Sequence, residues 1–400
     1  MQLTIGLKAA IGKSQKKDPK EAAQEAMSQC SAQLAAQSAH LAIAFGAPRL
    51  SVAGALKTIK SALRPGTPLI GCSGTHVISS DGVDQDGIVL ALLHLPEIKV
   101  SCGSANLAQG GNPHLLGQEL GASLLLNVKG YRRETCLVLS DGLSEDAPEF
   151  FSGLQDSLGK SFPFIGGGSS DNFKFAQTFQ YFNESVLHKS AVAALFCGKF
   201  SYGIGIRHGW KPLGKIRVAT ESRGNIIKKI DGKKASSLYE EYFNKSLAQL
   251  KKEILYINTL YPIGVYLKGE DEYLLRNVIT LGDDGSIVTQ GDVPEKSEIR
   301  LMIGNRESAL SAARQAGQQA KTAMHGKKIV FALVISSASR AYLLGRSAGG
   351  EIDAIKESLG DGVALAGFYS YGEYAPLGSI SYHGQTYLHN QAIAVLAIGE

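Results

Sequence analysis

The sequence predicts an α+β protein in which a strand–helix–strand–turn–hairpin unit recurs and builds mixed sheets flanked by helices. Three observations predict it. The same order of apolar runs and amphipathic segments comes round three times. Glycines recur at similar spacing, 25 residues from Gly46 to Gly71 and 24 from Gly142 to Gly166. Hairpin signals such as Asp231-Gly232, Asp284-Gly285 and Gln290-Gly291 stand between the second and third rounds, which argues against a doubly wound parallel sheet.

Round one opens on the apolar run "HLAIAFGAP" from His40. A helix follows over Leu50 to Leu63, with Val52, Leu56, Ile59 and Leu63 at three- and four-residue spacing. The strand "TPLIGCSG" and the apolar strand "GIVLALLHL" complete it. Round two runs from "TCLVLSDG" through the helix "APEFFSGLQDSLG", with Pro148 early and Gly159 late, to "FPFIGGGSS" and "SAVAALFCG". Round three runs from "KIVFALVISSASR" through a helix at about Ser347 to Ser358, then "VALAGFYSYGE" and "TYLHNQAIAVLAIG". Between rounds two and three, turns at Gly214 and Gly224 separate strands, and a helix starts near Ala235. Further hairpins and a regular helix from Arg306 to His325 follow. The expected division is a domain over 1–240, holding two units and a strand-rich extension, and a second over 241–400 holding the third unit.

Composition narrows the function classes. Of 400 residues 44% are hydrophobic and 19% charged, as in ordinary globular proteins. The net charge is only +5, and the basic clusters are not interleaved with aromatics, so no nucleic-acid surface is expected. Five scattered cysteines without a CxxC pair fit a reducing compartment and argue against a zinc site. No apolar run approaches the ~20 residues of a membrane helix, and the N-terminus is not a signal peptide. The expected location is the cytoplasm, with no membrane insertion.

The glycine segments fail the familiar motifs. "GGGSSDNFK" lacks the spacing and lysine of a P-loop, and GxGxxG fails as well. "GCSGTH" resembles a nucleophile elbow, but Thr75 stands where glycine is needed. A hydrolase using Cys72 or Ser73 with His76 as base is therefore a minor alternative. In "GFYSYGEYAPLG", aromatics and one carboxylate beside a glycine turn suit a small amine-bearing molecule.

Across nearly its whole length the chain resembles the FIST-domain proteins, sensory modules of bacterial and archaeal signal transduction. "HLAIAFGAP", "PLIGCSG", "FIGGGSSD" and "HGWKPLG" with "VATESRGNIIKKIDGKKA" carry the N-terminal likeness; "LLRNV", "GFYSYGEYAP" and "LHNQAIAVLAI" carry the C-terminal one. Where the family often has cysteine-x-x-arginine, this chain reads Ser337-Ala338-Ser339-Arg340. The resemblance implies a sensor rather than an enzyme, binding an amino acid or related metabolite. With only Glu400 after "AVLAIG", the expected output is a separate histidine kinase or cyclic-dinucleotide enzyme. Stand-alone members also resemble haem-binding nitric-oxide sensors, which makes haem b the alternative cofactor, with His208 and His76 as axial ligands. His389 is expected to bond backbone. The expected ligand site lies at the glycine turns: Cys72, Ser73, Gly167, Gly168, Ser169 and Asp171 supply polar contacts there. Tyr369 and Tyr371 cover apolar surface, Glu373 takes an amine, and Arg340 pairs with a ligand carboxylate or with Glu373.

Overall fold

The computed structural model describes residues 6–35, 37–48, 53–269, 272–377 and 385–400. Three six-stranded sheets share one plan. The first runs Lys8–Ser14, Ile88–His94, Leu41–Gly46, Leu69–Ser73 and then the hairpin Gln180–Phe182/Ser185–Leu187. The second runs Ile98–Asn106, Ser190–Gly198, Arg133–Asp141, Phe164–Ser169 and the hairpin Glu373–Pro376/Thr386–His389. The third runs Ser201–Arg207, Ile393–Gly399, Ile329–Ser337, Ala364–Ser370 and the hairpin Val77–Ser79/Gly82–Asp84. In each, one strand pair is parallel and the rest antiparallel. Every hairpin leaves its own round: the first joins the third sheet, the second the first, and the third the second. The exchange closes on itself, so each round completes another's sheet and covers an edge that would otherwise be open.

The inward faces of the three sheets make one core. Phe45 and Leu93, Leu137 and Phe196, and Leu333 and Phe368 meet there, with Phe45 stacked on Phe368 at 4.9 Å. Burying each such ring contributes roughly 1.5–3 kcal/mol. Each outward face is covered by two helices: Pro19–Leu34 with Ala53–Ala62, Pro113–Leu126 with Ala147–Leu158, and Arg306–Ala323 with Gly349–Leu359. The first helix of each pair is capped by a short side chain, Asp18, Asn112 or Asn305, which accepts backbone N–H groups left open in the first turn. Two of them ride directly on glycines. A Cβ on Gly12 would lie 1.9 Å from the Ala26 carbonyl, and one on Gly205 would lie 2.0 Å from that of Ala316.

The fold class and mixed sheets are as expected, and several elements refine the reading. The leading strand and helix of rounds one and two were not anticipated. Their helices bury alanine, glycine and single large residues, which give a weak apolar period. The expected start of the first-round helix, Leu50 to Val52, lies outside the described residues, and the helix is seen over Ala53–Ala62. The turn expected at Gly214 is a bulge inside the long strand Lys211–Arg223, whose pairing shifts between Leu213 and Arg217. The helix expected from Ser347 is Gly349–Leu359, preceded by the separate helix Ala338–Leu344. Residues 211–303 form an inserted part with its own core, including Ile227, Tyr239, Ile257, Ile287 and Leu301. Residue 240 falls within its helix Ser237–Phe243. Among the described residues no helix is long and apolar enough to cross a membrane.

Candidate functional site

The three parallel-paired strands end at one place. Gly71 lies opposite Ala44, Gly166 opposite Val138 and Gly367 opposite Val334. A Cβ at these glycines would fall 1.9, 1.8 and 1.8 Å from the facing carbonyl oxygens. None of the three has a positive φ. The expectation that glycine serves a tight turn here is therefore corrected: it permits close backbone approach inside a strand. The same register places Ser140, not Gly142, in the position of Gly46.

Two residues beyond each of these glycines the backbones join in a cycle. The N–H of Ser170 donates to the Ser73 carbonyl (3.0 Å), that of Tyr371 to Gly168 (2.8 Å), and that of Thr75 to Tyr369 (3.1 Å). Side chains fill the hub. Ser170 Oγ accepts from the Thr75 N–H at 2.6 Å and donates to the Tyr369 carbonyl. Ser73 Oγ donates to the Ser170 carbonyl at 2.9 Å and accepts from the Phe179 N–H. Ser169 Oγ donates toward Ser140 O and Thr178 Oγ1 and accepts from Gln180. The structure thus brings Ser73, Gly168, Ser169, Tyr369 and Tyr371 together. Their polar groups, however, are spent on one another. The backbone N–H groups expected to face a ligand are used as well; that of Gly168 donates to Gly372 at 2.9 Å. Gly167 pairs with Glu373 in the sheet.

The charged residues also differ from expectation. Arg340 and Glu351 are wholly buried and paired at 2.5 Å, and Arg340 also donates to the carbonyls of His208 and Ala309, both at 2.7 Å. Glu351 further accepts from Ser336 and from the Tyr369 hydroxyl, each at 2.9 Å. The pairing expected between Arg340 and Glu373 is therefore corrected, because Glu351 holds the guanidinium. Tyr369 is fixed to the same carboxylate rather than lining an opening. Glu373 is buried: Ser370 Oγ donates to it at 2.7 Å and the Ala392 N–H at 3.0 Å. Burial pushes its carboxyl up to about 8.

Asp171 organises the mouth of the hub. Its carboxylate accepts N–H bonds from Phe175 (3.0 Å), Ala176 (2.7 Å) and Gln177 (3.0 Å), and the Tyr371 hydroxyl at 2.8 Å. This one group holds a loop in which Asn172, Phe173 and Phe175 all take left-handed backbone angles, which costs bulky side chains about 1–3 kcal/mol each. The constraint sets an aromatic cluster in place. Phe175 stacks on Tyr371 at 5.1 Å, and Phe173 meets Tyr342 at 6.1 Å. Phe175 and Tyr342 are 55% and 49% exposed, so their outer faces are open to solvent. The loop and the helix bearing Tyr342 follow the carboxyl ends of parallel strands, where α/β sheets present ligand sites. Phe173, Phe175 and Tyr342 were missed from sequence. Two phenylalanines spaced two apart after a glycine- and serine-rich run were the available signal.

The two histidines proposed for haem differ. His208 Nδ1 accepts the Trp210 N–H at 2.9 Å, so the neutral ring carries its proton on Nε2 and offers no lone pair there. Burial, with His389 and Arg340 nearby, pushes its pKa down to about 3. His208 does not fit axial ligation. His76 Nδ1 lies 2.5 Å from the Thr75 carbonyl and therefore carries the proton, which leaves Nε2 as the free acceptor. Burial lowers its pKa, so the ring is neutral. His389 bonds the Ala375 carbonyl at 3.1 Å, a backbone group as expected. For the hydrolase alternative, the Ser73 hydroxyl faces a carbonyl rather than an imidazole, and burial holds the Cys72 thiol far above its ordinary pKa. Among the described residues no three His, Cys, Asp or Glu side chains form a metal-binding group.

Two family models match the chain: the FIST N domain over residues 40–233 and the FIST C domain over 235–376. An uncharacterized protein of Methanocaldococcus jannaschii is 28% identical over 94 residues, 23% of this chain and 18% of that protein. The match thus spans under a fifth of that relative's length. Among solved structures, a cyanuric acid hydrolase aligns with a TM-score of 0.39 at 8% identity, covering 98% of this chain and 99% of that one. A chorismatase aligns at 0.36 and 9%, covering 99% and 100%. Likeness at this level carries no argument about fold or activity.

Proposed function

We propose, from the premise that the chain belongs to the FIST-domain proteins, whose domains are sensors thought to bind small ligands, that it senses an amino acid or related amine-bearing metabolite at the mouth of the three-strand hub. The observation that carries this reading is the aromatic cluster fixed by Asp171. The open faces of Phe175 and Tyr342 present ring electron density to a cation, worth about 0.5–1 kcal/mol per exposed contact. Asp171 acts as a positioning residue, because its bonds to the loop and to Tyr371 hold the rings in place. Occupation of the mouth would bear on the loop 171–177 and on the helix Ala338–Leu344, and through them on a separate partner, a histidine kinase or cyclic-dinucleotide enzyme. Calorimetry against the amino acids and their decarboxylated amines tests this. Binding should weaken about tenfold in a Phe175→Ala/Tyr342→Ala double variant, two exposed contacts being lost. Binding of equal strength in that variant would place the ligand elsewhere.

A haem-based nitric-oxide sensor is the second reading, and the Nε2 acceptor of His76 supports it. There His76, not His208, would hold the iron. Protein titrated with haem that gives no Soret band, or an identical band after His76→Ala, would exclude it.

A further inference from the structure

Each of the three sheets ends on one side in a strand with an outer edge: Lys8–Ser14, Ile98–Asn106 and Ser201–Arg207. Two of these edges are capped by glutamines from the helix that covers them. Gln33 Oε1 accepts from the Ile11 N–H at 3.0 Å, and its amide nitrogen donates to the Ile11 carbonyl at 2.6 Å. Gln29 holds Lys13 in the same way, at 2.9 and 3.0 Å. In the third sheet Gln319 Oε1 accepts from the Ile206 N–H at 3.0 Å. Gln29 and Gln319 each stand three residues past the alanine whose carbonyl meets a strand glycine, Ala26 against Gly12 and Ala316 against Gly205.

The second sheet lacks these caps. Its strand glycine, Gly103, meets the side chain of Leu120 rather than a carbonyl. Three residues past Leu120 stands Ser123, whose side chain is too short to cap as glutamine does. Asn127, seven past Leu120 as Gln33 is seven past Ala26, turns instead to Ser101 Oγ and the Ser123 carbonyl. The Leu107 N–H bonds the Lys189 carbonyl on the inner side at 2.8 Å. By the alternation of an antiparallel ladder, Val100, Cys102 and Ser104 therefore turn their N–H and C=O groups outward. The strand is nine residues long and its pairing runs without a bulge. Such an edge is a template for another chain.

A cleft of about 700 Å3 lies along it, with Val100 and Cys102 on one side and Lys60 and the hairpin turn at 182–185 on the other. That far wall stands where a second copy's sheet would have to pass, so the cleft suits a single extended chain. Its charged groups are Lys60, Lys99 and Glu184, and among the described residues none of the three is in an ion pair. A carbonyl, that of Thr67, holds Lys60 Nζ. The excess is positive. We propose that the open edge of Ile98–Asn106 binds an extended acidic peptide of a partner protein as a seventh strand of the second sheet. The peptide backbone bonds Val100 and Cys102, and its carboxylates meet Lys60 and Lys99. This site lies apart from the aromatic mouth and does not rest on the reading given for it.

Fluorescence polarisation of the full-length protein with the labelled peptide fluorescein-TVEVEVT-amide tests this. Saturable binding is expected. A version N-methylated throughout, which has no amide donors, should not bind, and fluorescein-TVKVKVT-amide should bind about tenfold more weakly. Ser123→Gln/Asn127→Gln rebuilds, on exposed helix positions, the caps that the other two sheets carry. It should weaken the acidic peptide about tenfold without lowering Tm. Lys99→Glu, at an exposed position, should narrow or reverse the preference between the two charged peptides. The inference is overturned if the acidic peptide gives no saturable binding, if the N-methylated or lysine version binds equally, or if both variants bind as wild type does. Sedimentation that finds a wild-type dimer broken by the double-glutamine variant would also overturn it and give the edge to a second copy. Any of these leaves the mouth reading untouched, because that reading concerns different residues.

Discussion

Replacing Glu373 with glutamine should stabilise the protein in mildly alkaline solution and flatten its dependence on pH. The carboxyl titrates near 4.5 in the unfolded chain and near 8 in the fold, raised mainly by burial. A raised folded pKa in an acid means that the folded state holds the proton, so stability falls as pH rises from about 4.5 to about 8. At 1.36 kcal/mol per pH unit, a difference of that size corresponds to roughly 3–4 kcal/mol lost between pH 5 and 8. The surroundings suit the neutral acid. Its hydroxyl can donate to Ser370 Oγ, which turns to the Ser336 carbonyl 3.2 Å away, while the other oxygen keeps the Ala392 N–H. Glutamine reproduces this pattern, with its NH2 group toward Ser370. Urea unfolding of wild type and Glu373→Gln at pH 5.5 and 8 is the assay. The variants should differ little in acid, and glutamine should be more stable at pH 8 by a few kcal/mol. Parallel pH dependence in both proteins would refute the reasoning.

Other consequences follow from the same geometry. Arg340→Met strips the charge partner from Glu351 and leaves two carbonyls unbonded, so it should cost about 3–5 kcal/mol in urea unfolding. Gly166→Ala drives a Cβ to 1.8 Å from the Val138 carbonyl and should cost at least 1–3 kcal/mol, seen as a lowered Tm. Ser170→Ala removes the hub's central hydroxyl and should cost roughly 1–3 kcal/mol, with faster amide exchange at Thr75.

The repetition was legible in the sequence because each round carries long apolar strands, and the strands flanking Gly71, Gly166 and Gly367 stand where the motifs placed them. The exchange of hairpins was not legible. Val77–Ser79 pairs with Ala364–Ser370, nearly three hundred positions away, and no local pattern encodes a partner at that distance. The helix Pro19–Leu34 escaped notice because alanines against Gly12 leave little apolar contrast. For the site, sequence located the hub but misassigned its chemistry. Serines, Arg340 and Glu373 looked available because hydrogen-bond partners remote in sequence, such as Ser170 for Thr75 and Glu351 for Arg340, are invisible along the chain. Phe175, exposed beside Asp171, was passed over for Tyr369 and Tyr371, which are both buried.

Hydrogen exchange of the protein with and without the amine-bearing ligand selected by calorimetry tests the account most directly. Ligand seated on Phe175 and Tyr342 should slow exchange across the loop at 172–177 and in the helix Ala338–Leu344. Binding that leaves both segments unchanged, and protects only residues remote from the mouth, would contradict the account.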